Sequence, residues 1–312
     1  MSQRVLVTGG AGFIGAHLVR RLLAEGCSVQ VLDDLSSGLR ENVPADAELI
    51  VGDVRDTALV NEVMEGCGRA FHLAAFVNLP DSFAQRDECM SINVDGTRCV
   101  FEAALNRGVG KVVFSSTSAL YPDAPAGPKR EDGPLSTASP YAESKLMGEC
   151  LLWEYQERGL RGIALRYFNV FGPGQPSDSD YAAVIPLFIA RALVGQQLTI
   201  CGDGDQTRDF VYVADVAGAN WQASQSTATG AFNVGTGDGL AIIELANTTC
   251  RVLEQDPNYR FSELRPGDVL SSTACTERAQ KILGWRAQWS FEDGLNETIK
   301  WWKSPQSETI HD

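Results

Sequence analysis

A short apolar run, RVLVT (4–8), leads directly into GGAGFIGAHLVRRLL (9–23), and this junction constrains the fold more than any other part of the chain. Gly9, Gly12 and Gly15 recur every three residues, Gly10, Gly12 and Gly15 fit the looser G-x-G-x-x-G, and an amphipathic helical pattern follows. Glycines so spaced permit a tight turn without Cβ atoms, so that backbone N–H groups and the positive end of a helix can approach a pyrophosphate. A second strand-like run, SVQVLD (28–33), ends on Asp33, eighteen residues beyond Gly15. A carboxylate there can accept hydrogen bonds from an adenosine ribose. It would repel a 2′-phosphate, Asp34 adds to the repulsion, and Leu35, Ser36 and Ser37 bring no arginine to reverse it, so the pattern favours NAD over NADP.

Further strand-like runs follow: ELIVG (48–52), AFHLA (70–74), KVVFSS (111–116) and GIALRYF (162–168), with helix-like stretches between most of them. Such alternation predicts an α/β fold, a Rossmann-like doubly wound parallel sheet covered by helices on both faces. The segment FGPGQPSDSD (171–180) is dense in turn residues and reads as a boundary loop, followed by a smaller and less regular α+β region. We therefore expect a dinucleotide-binding domain over 1–170 and a second region over 171–312, with segments around 210–240 packing back on the first. Asp53 and Val54, just after the third strand, are placed to meet an adenine, or else form a plain turn at a strand end.

With 312 residues and 44% hydrophobic content, the chain can bury a large core. A net charge of −14 repels phosphate backbones and membrane surfaces, so neither nucleic acid nor a membrane is an expected partner. The longest apolar stretch, around Ala182 to Val194, is broken by Pro186 and Arg191 and is too short to span a bilayer. We expect a cytoplasmic protein without signal peptide or anchor. Eight scattered cysteines without C-x-x-C, and three distant histidines, His17, His72 and His311, read as reduced core thiols rather than disulfides or a metal site. CGDGDQTRD (201–209) lacks the further ligands of a calcium loop, and is better read as a turn leading to Arg208.

The glycine loop, FHLAA (71–75), Asn93 with Gly96 and Thr97, FSSTSALY (114–121), SPYAESK (139–145), RYFNVFGPG (166–174), QTRDFVYVADVA (206–217), RPGD (265–268) and GW (284–285) occur in one order. Together they resemble the extended short-chain dehydrogenase/reductase family, and within it the NAD-dependent nucleotide-sugar epimerases and dehydratases typified by UDP-glucose 4-epimerase. The resemblance implies that Tyr141 is the acid/base tyrosine and Lys145 its partner, which also holds the nicotinamide ribose. Thr117 matches the Ser/Thr that hydrogen-bonds the reacting sugar hydroxyl, with Ser116 as the neighbouring alternative. Residues four apart share a helical face, which suits the Tyr141–Lys145 pair. Ser139 as N-cap and Pro140 at the first helical position would fix where their helix begins. A free tyrosine ionises near pH 10, so work as a base near neutrality calls for a depression of roughly three units, about 4 kcal/mol. A nearby ammonium and the nicotinamide cation are the expected sources.

The resemblance further implies NAD contacts at Phe13, Ile14, Asp34, Ser36, Ser37, Gly38, Leu73, Ala74, Ala75, Asn93, Ser115 and Phe168. On the substrate side it implies that Arg208 and Arg265 hold a nucleoside diphosphate, that Asn169 contacts its phosphate, and that Ser272, seven residues after Arg265, gates the sugar's C2 substituent. A small residue there leaves room for an N-acetyl group, so UDP-GlcNAc/UDP-GalNAc join UDP-glucose/UDP-galactose as candidates. Two positions depart from the family's pattern: Tyr121 is followed by Pro122 rather than glycine, and Asp81 in LPDS stands where a basic residue is common. The expected activity is 4-epimerisation through a 4-keto intermediate, in a homodimer pairing the helices near 93–107 and 141–158. A 4,6-dehydratase would need Asp-Glu after the threonine, where this chain has Ser118 and Ala119. Uronic acid epimerisation or decarboxylation stays open. A non-catalytic NAD-binding sensor would have little reason to keep Thr117, Tyr141 and Lys145.

Overall fold

A computed structural model describes residues 3–123, 127–177, 183–263 and 269–304. Along the first part of the chain run β1 (Arg4–Thr8), α1 (Phe13–Ala24), β2 (Ser28–Asp33), β3 (Glu48–Val51), α2 (Thr57–Val63), β4 (Arg69–His72), α3 (Leu79–Ala84), α4 (Arg86–Met90), α5 (Thr97–Asn106), β5 (Lys111–Thr117), α6 (Pro140–Glu157) and β6 (Gly162–Tyr167). There follow β7 (Asn169–Phe171), α7 (Val184–Leu193), β8 (Leu198–Cys201), β9 (Thr207–Arg208), β10 (Phe210–Tyr212), α8 (Val213–Gln225), β11 (Gly230–Val234), β12 (Leu240–Ala241), α9 (Ile242–Val252), β13 (Tyr259–Ser262), β14 (Ser271–Ser272) and α10 (Phe291–Trp302).

The main sheet has seven strands in the order β11-β6-β5-β4-β1-β2-β3, and each neighbouring pair is parallel. The strand alternation sorts side chains between two cores. Val5, Val7, Val29, Val31 and Val113 face α1 and α8, meeting Leu18, Leu22, Val216 and Ala219. Leu6, Leu32, Val112 and Phe114 face the other way, onto α2, α5 and α6 through Val60, Phe101 and Leu152. Side chains that alternate along a strand reach opposite faces, so burial on both sides gives the near-continuous apolar runs seen in the sequence.

Six strands fall where the apolar runs predict them. The seventh, β11, comes from the C-terminal part of the chain and pairs with β6 from Gly230↔Ile163 to Val234↔Tyr167. β4 is shorter than AFHLA suggests, because the N–H groups of Leu73 and Ala74 both turn to the carbonyl of Thr8, each at 3.0 Å. The C-terminal part has its own core, in which Phe188, Ile189, Leu245, Leu295 and Ile299 pack beside Phe171 and Tyr212. All eight cysteines are free thiols. Cys27, Cys67, Cys89 and Cys250 are core residues as expected, whereas Cys150 is exposed.

In an open parallel sheet, ligands bind beyond the carboxyl ends of the strands where the strand order reverses. Here that point lies between β1 and β4, whose ends Thr8 and His72 are register partners.

Candidate active site

The turn after β1 is shaped by backbone contacts that leave no room for side chains. Gly9 has φ +72°, and a Cβ on it would sit 2.5 Å from the Ala74 nitrogen. A Cβ on Gly15 would collide with the Gly9 carbonyl, and one on Gly38 would come within 2.8 Å of the Ala11 backbone. The loop is fastened to β2 by Asp33. Its Oδ2 accepts the Ala11 N–H at 2.9 Å and its Oδ1 accepts the Leu35 N–H at 2.9 Å. Burial pushes the Asp33 pKa up while those two N–H bonds pull it down. Asp34 accepts the Ser36 N–H at 2.9 Å and its hydroxyl at 2.7 Å, which folds the following loop over the glycine turn. Phe13 and Ile14 begin α1; Phe13 lies edge-on to His17, whose Nε2 is 2.8 Å from the Pro173 carbonyl.

This cradle fits a dinucleotide. The start of α1 is open to a pyrophosphate, and each Asp33 oxygen keeps a lone pair after its backbone bond, so ribose hydroxyls can be accepted. The Asp53 carboxylate is held by the Arg55 guanidinium at 2.5 Å, which also reaches Glu88 at 3.0 Å. Val54 is packed in the core, against the space left by Gly96. Ala75 follows the turned residues Leu73 and Ala74.

The second half of the site rises from the end of β5 and the start of α6. Ser139 caps that helix by accepting the Ala142 N–H at 3.1 Å, and Pro140 is its first residue. The Thr117 side chain stands beside the Tyr141 phenol, and its own Oγ1 accepts the Ala119 N–H at 3.1 Å. Ser116 is not an equivalent alternative. It is buried on the other side of the strand and donates to Glu149 at 2.6 Å, inside a buried ion pair in which Arg166 meets Glu149 at 2.7 Å. Arg166 also donates to the Tyr121 hydroxyl at 2.9 Å, and Phe168 stacks on the Tyr121 ring at 6.0 Å.

In the protein without cofactor, burial dominates the ionisation of the tyrosine. Burial pushes the Tyr141 pKa up to about 12, against the pull of the neighbouring Thr117 side chain. Lys145 is 3% exposed; its Nζ donates to the Ser115 carbonyl at 3.0 Å, and burial lowers its pKa to about 8. A low-dielectric pocket disfavours the charged form of both groups, so the protein's own groups do not supply the expected depression. The buried Tyr167 phenol donates to Asn220 at 2.9 Å.

Behind them, His72 is buried between Thr8 (Nδ1, 2.7 Å) and Thr97 (Nε2, 2.9 Å), and desolvation lowers its pKa to about 3. It is a neutral linker between β1 and the α5 start. Asn93 lies in a π-helical turn, Ser91–Gly96. Its amide clamps the Phe76 backbone, accepting N–H at 2.7 Å and donating to C=O at 3.0 Å, so it shapes the chain beyond Ala75.

The substrate-side candidates Asn169, Arg208 and Ser272 are gathered around one residue the sequence reading left unassigned. The Asn169 N–H donates to the Asp209 carbonyl at 3.0 Å, and the Asp209 N–H donates to the Ser272 carbonyl at 2.8 Å. Arg208 and Ser272 are register partners in β9 and β14. The fully buried Asp209 carboxylate accepts N–H groups of Thr236 (2.7 Å), Gly237 (2.9 Å) and Ala274 (3.0 Å), plus the Thr236 hydroxyl (2.7 Å). An acidic residue between an arginine and an apolar strand was the available signal. Arg265 lies outside the described residues.

A family model for the NAD dependent epimerase/dehydratase family matches residues 5–235. The chain belongs to that family. It is 37% identical to a UDP-glucose 4-epimerase of Mycolicibacterium smegmatis, over 97% of this chain and 99% of that protein. It is 32% identical to a UDP-N-acetyl-alpha-D-glucosaminuronate decarboxylase of Bacillus cytotoxicus, over 99% of this chain and all of that one. Among solved structures, a UDP-N-acetylglucosamine 4-epimerase from Methanobrevibacter ruminantium M1, in complex with UDP-N-acetylmuramic acid, superposes with a TM-score of 0.93. That match has 38% identity and covers 97% of this chain and 98% of the other. In this epimerase/dehydratase family member the glycine cradle and the Thr117–Tyr141–Lys145 group lie at the same edge of the sheet, on β1, β5 and α6.

Proposed function

We propose that the protein is an NAD-dependent 4-epimerase of a UDP-hexose, either UDP-glucose/UDP-galactose or the N-acetylated pair. The Tyr141 phenol beside Thr117, with Lys145 one helical turn along, carries this reading. NAD would lie on Gly9, Gly12 and Gly15, with its adenosine ribose on Asp33 and its nicotinamide ribose on the remaining donors of Lys145. Bound there, it supplies hydride acceptance and return at the sugar C4. Tyr141 takes the O4 proton and gives it back, and Thr117 orients that hydroxyl. Exchange of the reduced face requires the 4-keto sugar to rotate while the diphosphate stays held by Arg208, Arg265 and Asn169.

Two features favour epimerisation over 4,6-elimination. Ser118 and Ala119, the residues after Thr117, form a 3₁₀ turn with no acid/base pair. Ser272 is small and stands beside Arg208, which suits a bulky C2 substituent. A homodimer through α5 and α6 is part of the proposal, in keeping with the exposed Met147 on α6. The test is incubation with a panel of UDP-hexoses, N-acetylhexosamines and uronic acids followed by NMR. Interconversion of a 4-OH epimer pair supports the proposal, and no interconversion across the panel refutes it.

A further inference from the structure

The first turn of a helix leaves backbone N–H groups without intrahelical acceptors. In α6 Pro140 has none to satisfy, Ala142 donates to Ser139 Oγ at 3.1 Å, and Glu143 donates to the Ser139 carbonyl at 2.9 Å. The Tyr141 N–H goes elsewhere, to Ser82 Oγ at 3.3 Å, across 59 residues of sequence. Ser82 is fully buried in α3, a short helix begun by Asn78, whose side chain accepts the Asp81 N–H at 3.1 Å.

The carbonyl of the same residue is tied as well. Ser144 Oγ donates to the Tyr141 carbonyl at 2.8 Å and accepts from Asn93 Nδ2 at 2.8 Å, and Asn93 is the residue that clamps Phe76. A serine hydroxyl has one donor and two acceptor positions, so Ser144 makes both bonds at once. The Tyr141 N–H is thus fastened directly to Ser82, and its carbonyl is linked through Ser144 and Asn93 to Phe76, in the segment that leaves the cofactor end of β4 directly after Leu73–Ala75. Ser139 satisfies the Ala142 and Glu143 N–H groups and leaves that of Tyr141 to Ser82. The added bonds determine where the Tyr141 Cα stands, and a long side chain turns a small shift at Cα into a larger one at the phenol.

We propose that Ser82 is a positioning residue for Tyr141, fixing its backbone so that the phenol stays beside Thr117 and within reach of the reacting hydroxyl. The proposal rests on the acid/base reading of Tyr141. Misplacing a reacting group by a fraction of an ångström to an ångström costs roughly ten- to a hundredfold in rate. The test compares Ser82→Ala and Ser82→Thr in the NAD complex, reading kcat, KM and the pH at which the Tyr141 phenol ionises by tyrosinate absorbance. We expect Ser82→Ala to lower kcat roughly tenfold with little change in KM, to raise the ionisation pH, and to be restored by Ser82→Thr. In a Tyr141→Phe background Ser82→Ala should cost nothing further. Unchanged kcat and ionisation in Ser82→Ala, or an equal loss in the Tyr141→Phe background, would overturn the proposal. If the wild-type protein turns over no UDP-sugar, the functional reading fails while the phenol titration still decides the role of Ser82.

Discussion

The side chain of Thr117 stands beside the phenol of Tyr141, where it pulls the tyrosine's pKa down while burial pushes it up to about 12. The protein by itself therefore keeps Tyr141 protonated at neutral pH. A cation next to the phenol would favour the ionised form. We predict that saturating NAD+ moves the tyrosinate absorbance change to a pH several units lower, and that Thr117→Val moves it back up. Removing Tyr141 as Tyr141→Phe should reduce kcat by about 10²–10⁴-fold, the usual weight of a positioned acid/base group.

Lys145 is a buried cation, and burial has lowered its pKa from 10.5 to about 8. In the unfolded chain the amine binds its proton more tightly, so the fold is penalised fully below about pH 8 and the penalty disappears as pH rises towards 10.5. In the protein without cofactor, Lys145→Met should raise the melting temperature at pH 7, with a gain of up to about 3 kcal/mol that fades above pH 8. The same variant should lose NAD affinity. A gain that does not depend on pH would show that the lysine's charge is not the cause.

His72 shows the opposite limb of pH dependence. Its pKa falls from 6.5 to about 3 in the fold, so the unfolded chain takes up a proton that the native one does not, and stability drops as pH falls through that window. The slope from this residue is about 1.4 kcal/mol per pH unit. His72→Gln keeps a donor and an acceptor for Thr8 and Thr97, and should flatten the acid limb of a melting-temperature profile between pH 6.5 and pH 3.

Arg208 and Ser272, neighbours in β9 and β14, predict a separation of binding from chemistry. Arg208→Ala should raise KM for a UDP-sugar about ten- to a hundredfold, the loss expected for a hydrogen bond to a charged group, with kcat little changed. Ser272→Tyr should raise KM for UDP-GlcNAc far more than for UDP-glucose. Steady-state kinetics with both sugars checks both variants.

The parts of this site written in local patterns were readable in the sequence. Gly9, Gly12 and Gly15 beside a strand ending at Asp33 imply the cradle, and Ser139, Pro140, Tyr141 and Lys145 imply the helix and its face. What the sequence did not show depends on partners far apart along the chain. The Glu149–Arg166 pair is buried because two strands and a helix close over it, and that closure removes Ser116 from the reacting edge. Asp209 collects donors from three segments, and Ser82 meets Tyr141 across 59 residues. The β11 run, GAFNV, is too short to be separated by pattern from the loops around it. The Tyr141 pKa without cofactor was not legible either, because it is set by burial in the fold, and Lys145 turns its Nζ to Ser115.

The central claim is that one bound cofactor takes hydride from C4 and returns it to the same carbon while Tyr141 moves the O4 proton. The most direct measurement follows UDP-galactose, or UDP-GalNAc, deuterated at C4 through conversion by the purified protein, with NMR of both epimers. The account predicts that the 4-epimer forms with the deuterium retained at C4, without exchange with water, and that Tyr141→Phe slows the conversion about a hundredfold or more. Formation of the epimer with solvent hydrogen at C4, or unchanged conversion by Tyr141→Phe, would contradict it.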